Sequence, residues 1–239
     1  MIARAKFWLR ASAGGLGFGL AVAWYVVLRW LTPASRAYCR ESFARTMARL
    51  CCGPCGVRVT IVHGERAGQV HPCVYACNHQ SQIDYPIVGN MYPGNTLVMA
   101  SQIGDWPVMG FLFRSSGCIA LDRDVPVRAA GALDEAKTAI TRDGLSVWMF
   151  AEGTRGKVRG QLGKFKRGAF RLAAETGVPI VPVVISPLLP ETDLRGRKLE
   201  PHEVVLTVLE PVYGTNEDEL RDSVRALMQA HLNEYSPGI

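Results

Sequence analysis

Hydrophobic and polar positions change their pattern once along the chain, near residue 57. Before it lies the one long uncharged apolar run, residues 11–28, with Arg4, Lys6 and Arg10 ahead of it and Arg29 and Arg36 behind. Beyond it, short β-rich runs alternate with longer stretches of helical periodicity. The pattern predicts strands over 57–63, 73–77, 96–100, 117–122, 145–150, 180–185 and 203–212. It predicts helices over 36–50, 85–91, 106–115, 126–142, 164–177 and 216–234. The last opens on Thr215-x-x-Asp218, close to a capping box, with acids in its first turn. Several strands are continuously apolar, as strands covered on both faces are. The expected fold class is therefore α/β: a mixed, largely parallel central sheet of about seven strands flanked by helices. An amino-terminal membrane-associated helical segment precedes it. With no Pro- or Gly-rich linker and no internal repeat, the chain divides into 1–50 and a single domain over 51–239.

Composition narrows the class. The chain has 239 residues, of which 48% are apolar and 20% charged, enough to build a large core and too apolar for disorder. Its net charge of +6 invites a polyanion as partner, but the charge is unevenly placed. Residues 1–50 hold eight Lys/Arg and one acid, Glu41, whereas the remainder is close to neutral. Eighteen residues at ~1.5 Å each reach roughly 27 Å, against a hydrocarbon thickness of ~30 Å. Trp8, Trp24, Tyr25 and Trp30 lie near the ends of the run, where aromatic rings favour the headgroup level. The run ends without the small residues of a signal-peptide cleavage site, and its four glycines make a poor core helix. Spanning the membrane and lying in its surface both remain open. Three bases before the run and five after it place the body on the cytoplasmic side. Seven cysteines, an odd number, argue against a disulfide framework. Cys52-Gly53-Pro54-Cys55 matches the redox tetrapeptide of thioredoxins, yet here it closes a helix and precedes a strand, which reads as a turn. As a metal site it supplies two ligands only, so no metal is expected.

In sheets of this kind ligands gather where strands end. After strand 73–77 comes Asn78-His79-Gln80-Ser81-Gln82-Ile83-Asp84. A His and an Asp five residues apart across a turn can set a carboxylate on one imidazole nitrogen and leave the other free to take a proton. A His before a helix can equally be a cap or a packed residue. After strand 145–150 comes Ala151-Glu152-Gly153-Thr154-Arg155-Gly156, a glycine turn whose backbone N–H groups and Arg suit an anion. From Arg155 to Arg171 there are seven bases and no acid, a run that also fits a solvated helix face. A third exit, Leu121-Asp122-Arg123, delivers another Arg to the same edge.

Four blocks occur in one order: Asn78-His79-Gln80-Ser81-x-x-Asp84, Gly117-x-Ile119-x-Leu121-Asp122-Arg123, Phe150-x-Glu152-Gly153-Thr154-Arg155, and Val178-Pro179-Ile180-Val181-Pro182-Val183. In this the chain resembles the glycerophospholipid acyltransferases, most of all the bacterial 1-acylglycerol-3-phosphate acyltransferases. Ala151 departs from that pattern, where a Pro is usual, as does Ala100-Ser101-Gln102, where a Lys is frequent. The resemblance implies that 51–239 is an acyltransferase domain at the cytoplasmic face of the inner membrane. It would move an acyl group from acyl-CoA or acyl-carrier protein to a lysophosphatidate, with no further cofactor. His79 and Asp84 would be catalytic, and Arg123, Glu152, Gly153, Thr154 and Arg155 would bind the acceptor. Ser81 has no Gly-x-Ser-x-Gly frame and is not expected to be a nucleophile. Related enzymes act on other lysolipids, including lyso-ornithine lipid. A non-catalytic protein binding anionic lipid is the other class. Nucleic acid is not expected, because only Phe165 and Phe170 interleave the 155–171 bases.

Overall fold

The computed structural model describes residues 2–33, 35–91, 96–122, 124–156, 158, 160–188, 192–193 and 196–235. Seven strands form one sheet: β1 (Val57–Val62), β2 (Val74–Cys77), β3 (Thr96–Ala100), β4 (Ile119–Leu121), β5 (Val147–Phe150), β6 (Ile180–Ile185) and β9 (His202–Val208). Their spatial order is β1-β9-β6-β2-β5-β3-β4. Every pairing is parallel except β6 with β9, so the sheet is mixed and largely parallel. Two short strands, β7 (Thr192–Asp193) and β8 (Lys198–Leu199), pair apart from it and have no counterpart in the hydrophobic pattern.

The central strands are buried on both faces because their side chains alternate between two apolar layers. Val74, Ala76, Val147, Met149 and Val184 face α5 (Pro126–Thr141), α6 (Gly168–Thr176) and α7 (Glu217–Glu234). Small residues on α5, among them Ala132 and Ala136, complete that layer. Cys73, Tyr75, Cys77, Trp148, Val181 and Val183 face the other way, together with Val204, Leu206 and Val208 of β9, and pack with α3 (Asp84–Val88). There Tyr75 stacks on Trp148 at 5.2 Å.

Several boundaries are shorter than the pattern predicts, each for a visible reason. The strand expected at 117–122 loses its start because Gly117 has φ +72° and its carbonyl accepts from Thr96 Oγ1. The strand expected to run to 212 stops at Val208, since Pro182 on β6 has no N–H to donate, and pairing resumes only as the bridge Ile180 to Val212. Helix α6 begins at Gly168 rather than 164, because the Lys166 N–H is bonded to the Ala151 carbonyl. The cap of α7 is Asn216, whose side chain accepts from the N–H groups of Asp218 and Glu219.

The amino-terminal run is part of one long helix, α1 (Ile2–Leu31), packed against α2 (Arg36–Cys52). Phe7, Gly14, Gly17, Ala21, Tyr25 and Leu28 form its buried stripe. Two of its glycines allow the close approach: a Cβ at Gly17 would lie 2.0 Å from the Leu50 carbonyl oxygen, and one at Gly14 2.5 Å from Cys55 Sγ. Helix α2 bears in turn on α3 and on α4 (Pro107–Ser116). The Cys52–Cys55 tetrapeptide is a turn leading into β1, closed by bonds from the Cys55 and Gly56 N–H groups to the Cys51 and Gly53 carbonyls. Burial pushes the thiols of Cys51 and Cys52 up to about 11 and about 12. Neither is a thiolate at neutral pH.

Candidate active site

Because β2, β5 and β6 run parallel, the segments that leave them meet at one edge of the sheet. His79 leaves β2 and Asp84 opens α3, with one turn between them. His79 Nδ1 and Asp84 Oδ2 are 2.7 Å apart. The same oxygen accepts the N–H groups of Gln80 at 2.6 Å and Ser81 at 2.9 Å. An oxygen that takes three donors is a carboxylate acting as acceptor, so Nδ1 donates, and in the neutral form of the ring the lone pair is on Nε2. Nε2 bonds to no described residue. Asp84 is wholly buried and the His79 side chain 13% exposed, so the pair is open only on the imidazole side. The ring plane is set by Phe150, stacked at 4.2 Å, and by Tyr85, edge-on at 5.9 Å.

The other strand exits hold the His79 segment in place. Asn78 exchanges two hydrogen bonds with Ile185 at the end of β6, donating Nδ2 to its carbonyl at 2.9 Å and accepting its N–H at 2.8 Å. Gln80 donates to the carbonyls of Ile185 and Ser186 and accepts from the Leu188 N–H. Glu152, 4% exposed, accepts the His79 N–H on Oε1 at 3.2 Å and the Gly163 N–H on Oε2 at 2.8 Å. Burial raises its pKa, against the pull of those two N–H groups. A Cβ at Gly163 would sit 2.7 Å from Glu152 Oε2, so a larger residue there would displace that carboxylate. The Gly156 N–H closes the ring of contacts on the His79 carbonyl at 2.7 Å.

Of the residues singled out in the sequence, His79 and Asp84 are thus in contact and Glu152 is bonded to the His79 backbone. Gly153, at φ +69°, makes the turn after β5 and is buried. Thr154 and Arg155 follow it on the surface, one step from the Gly156 contact, and Arg155 has no acidic partner among the described residues. Arg123 lies outside the described residues; its neighbour Asp122 pairs with Arg128. In the 155–171 run, Arg167 is spent on Glu217 and Asp218, and Arg171 on Glu175. Asn78, Gln80 and Gly163 were not assigned roles from sequence. Their signal was indirect: two amides flanking a His at a strand exit, and a Gly inside a basic run.

Behind Tyr85 lies a cavity of about 90 Å³ whose walls include Phe18 of α1, Phe43 and Met47 of α2, and Leu97, Met99 and Met109. Tyr85 thus separates this apolar space from His79, whose ring it meets edge-on.

A family model for acyltransferases matches residues 58–186, which contain His79, Asp84, Glu152, Arg155 and Gly163. The chain belongs to the acyltransferase family. It is 34% identical over 157 residues to the 1-acyl-sn-glycerol-3-phosphate acyltransferase of Haemophilus influenzae, the match covering 64% of each chain. It is 32% identical over 167 residues to the protein of the same name from Escherichia coli, covering 67% of each. Among solved structures, the 1-acyl-sn-glycerophosphate acyltransferase PlsC of Thermotoga maritima superposes with a TM-score of 0.78 at 21% identity, over all of this chain and 96% of that one. That likeness extends the shared fold to α1 and α2, beyond the stretch the family model covers.

Proposed function

We propose that this acyltransferase moves an acyl group from acyl-CoA or acyl-carrier protein to the free sn-2 hydroxyl of 1-acylglycerol 3-phosphate, yielding phosphatidate. The observation that carries the reading is the 2.7 Å bond of His79 Nδ1 to a carboxylate that also holds two backbone N–H groups, with Nε2 left unbonded. In the proposed step, Nε2 takes the proton of the acceptor hydroxyl while its oxygen attacks the thioester carbonyl. Asp84 steadies the imidazolium so formed. The tetrahedral intermediate collapses with breakage of the C–S bond, and the thiolate leaves with the proton returned from Nε2. No acyl-enzyme is needed. Arg155 beside Gly156, together with Arg123, would bind the acceptor phosphate. The apolar cavity behind Tyr85 would receive hydrocarbon from the acyl group. The names borne by the bacterial relatives support the acceptor class.

Several exposed apolar side chains on α1, among them Leu16, Leu20, Trp24 and Trp30, support membrane attachment. The proposed site of action is the cytoplasmic face of the inner membrane. The test is thiol release from acyl-CoA by the purified protein with lysophosphatidate, lyso-ornithine lipid or no acceptor. Release that depends on lysophosphatidate is expected, with His79→Ala slower by about 10²–10⁴ yet still folded. Release independent of acceptor would make the protein a thioesterase, and full turnover by His79→Ala would overturn the mechanism.

A further inference from the structure

The loop between β5 and α6 carries two lysines whose side chains form no ion pair or hydrogen bond among the described residues. Lys164 and Lys166 are exposed and flank Phe165, which is buried and stacks on Phe170 at 5.8 Å. Arg167 and Arg171, farther along the same basic run, are by contrast paired with acids. The loop is neither helix nor strand, yet it is firmly held. Gln229 of α7 accepts the Leu162 N–H at 2.9 Å and donates to the Gly160 carbonyl at 3.0 Å. Arg225 donates to the carbonyls of Leu162 and Gly163. The N–H groups of Gly163 and Lys166 bond to Glu152 and to the Ala151 carbonyl. The backbone that bears the lysines is thus fixed, and it reaches the His79 segment through a single side chain, Glu152. Two like charges at most about 7 Å apart along the chain, on a support already rigid, make an interaction surface with little ordering cost.

We propose that this loop, through Lys164 and Lys166, is the docking surface for an acidic acyl-carrier protein that delivers its thioester to His79. The inference rests on the acyl-transfer reading above and adds to it the kind of donor and the place where it lands. Acids one turn apart on a helix are about 5–6 Å apart, a spacing that two lysines separated by one residue can meet together. Coenzyme A carries its charge on one compact nucleotide, whose phosphates call for converging forks and backbone donors rather than spread point charges. Lipid lies on another side. Leu162 and Phe165 anchor the loop in the apolar layer of α5, α6 and α7, whereas the α1–α2 pair bears on α3 at the opposite face of the sheet. Glu217 and Asp218 at the start of α7 are engaged by Arg167 and leave the lysines unneutralised. Val158, 55% exposed on the same loop, adds an apolar point of contact.

The test compares one acyl chain carried by purified acyl-carrier protein and by CoA, with lysophosphatidate in excess. In the double variant Lys164→Glu/Lys166→Glu, the KM for the carrier-borne donor is expected to rise at least about tenfold with kcat little changed, because acids then face acids. The KM for acyl-CoA should shift by less than about twofold, which also shows that the variant is folded. Lys164→Arg/Lys166→Arg keeps the charge and should keep the wild-type KM. Raising salt from about 0.01 to about 0.15 M, which shortens the Debye length from ~30 to ~8 Å, should weaken the carrier reaction of wild type more than that of the Glu variant. An equal rise for both donors would give the lysines to CoA and overturn the proposal. So would an unchanged carrier KM, a rise confined to the KM for lysophosphatidate, or a loss of flotation with vesicles of anionic lipid. Direct binding of the carrier protein separates the two ideas. Binding to His79→Ala that the Glu substitutions abolish, without any transfer by wild type, would sink the acyl-transfer reading alone. Transfer by wild type, with carrier binding indifferent to those substitutions, would sink the docking assignment alone.

Discussion

Glu152 has two carboxylate oxygens and holds one backbone N–H with each, those of His79 and Gly163. Glutamine can accept with only one of its two terminal atoms, so Glu152→Gln leaves one N–H facing an amide donor, at a cost of about 1–3 kcal/mol. The size of the loss depends on pH. Burial holds this carboxyl above its ordinary 4.5. A carboxyl raised by folding gives its full stabilisation below the unfolded value and loses it as pH climbs through the folded one. The margin of wild type over Glu152→Gln in urea unfolding is therefore expected to be widest on the acid side of 4.5 and to narrow toward neutrality. A margin that widens with pH would show the N–H bonds outweighing burial. Arg155 is exposed and bears no structural bond of this kind. Arg155→Ala is expected to raise the acceptor KM about tenfold with kcat little changed, the signature of a lost binding contact; an unchanged KM would place the phosphate elsewhere. His79 and Asp84 were legible in the sequence because they lie within one turn at a strand exit and belong to one of four blocks in a recognisable order. The Glu152 bonds were not, because they join segments 73 and 11 residues apart whose approach is set by the sheet.

At the scale of elements, the glycines of α1 reverse their apparent meaning. Read from propensity they weaken a helix; in the structure Gly14 and Gly17 face α2, while Gly15 and Gly19 have open space. Gly17→Ala would drive a methyl into the Leu50 carbonyl, which is backbone and cannot turn aside. It is expected to destabilise the α1–α2 pair by about 1–3 kcal/mol. Gly15→Ala meets nothing and should stabilise α1 by up to about 1 kcal/mol. Thermal unfolding of both variants in detergent checks the contrast, and equal shifts would contradict it. Strand positions came through well from pattern alone, since β2, β5 and β6 are continuously apolar and bounded by turn residues. Their ends did not, because Pro182 and the Gly117 turn stop pairing through partners distant in sequence.

At the scale of the molecule, the basic and apolar character of the amino-terminal end falls on one helical pair, and the His79–Asp84 pair sits on the neighbouring sheet edge. Leu16 and Leu20 are one turn apart on α1 and are 67% and 53% exposed. Replacing both with Glu should leave the fold intact and shift the protein from the floating to the soluble fraction when vesicles of anionic lipid are spun through a density gradient. Unaltered flotation would assign attachment to another surface. The Asn78 bridge to Ile185 has a consequence for the making of the protein. The two partners are 107 residues apart, and Glu152 lies between them. At roughly 5–20 residues per second, a ribosome needs some seconds after releasing His79 before β6 exists to receive it. A nascent chain carries both His79 and Asp84 well before it can hold them still, so their paired geometry is expected only after β6 has been made.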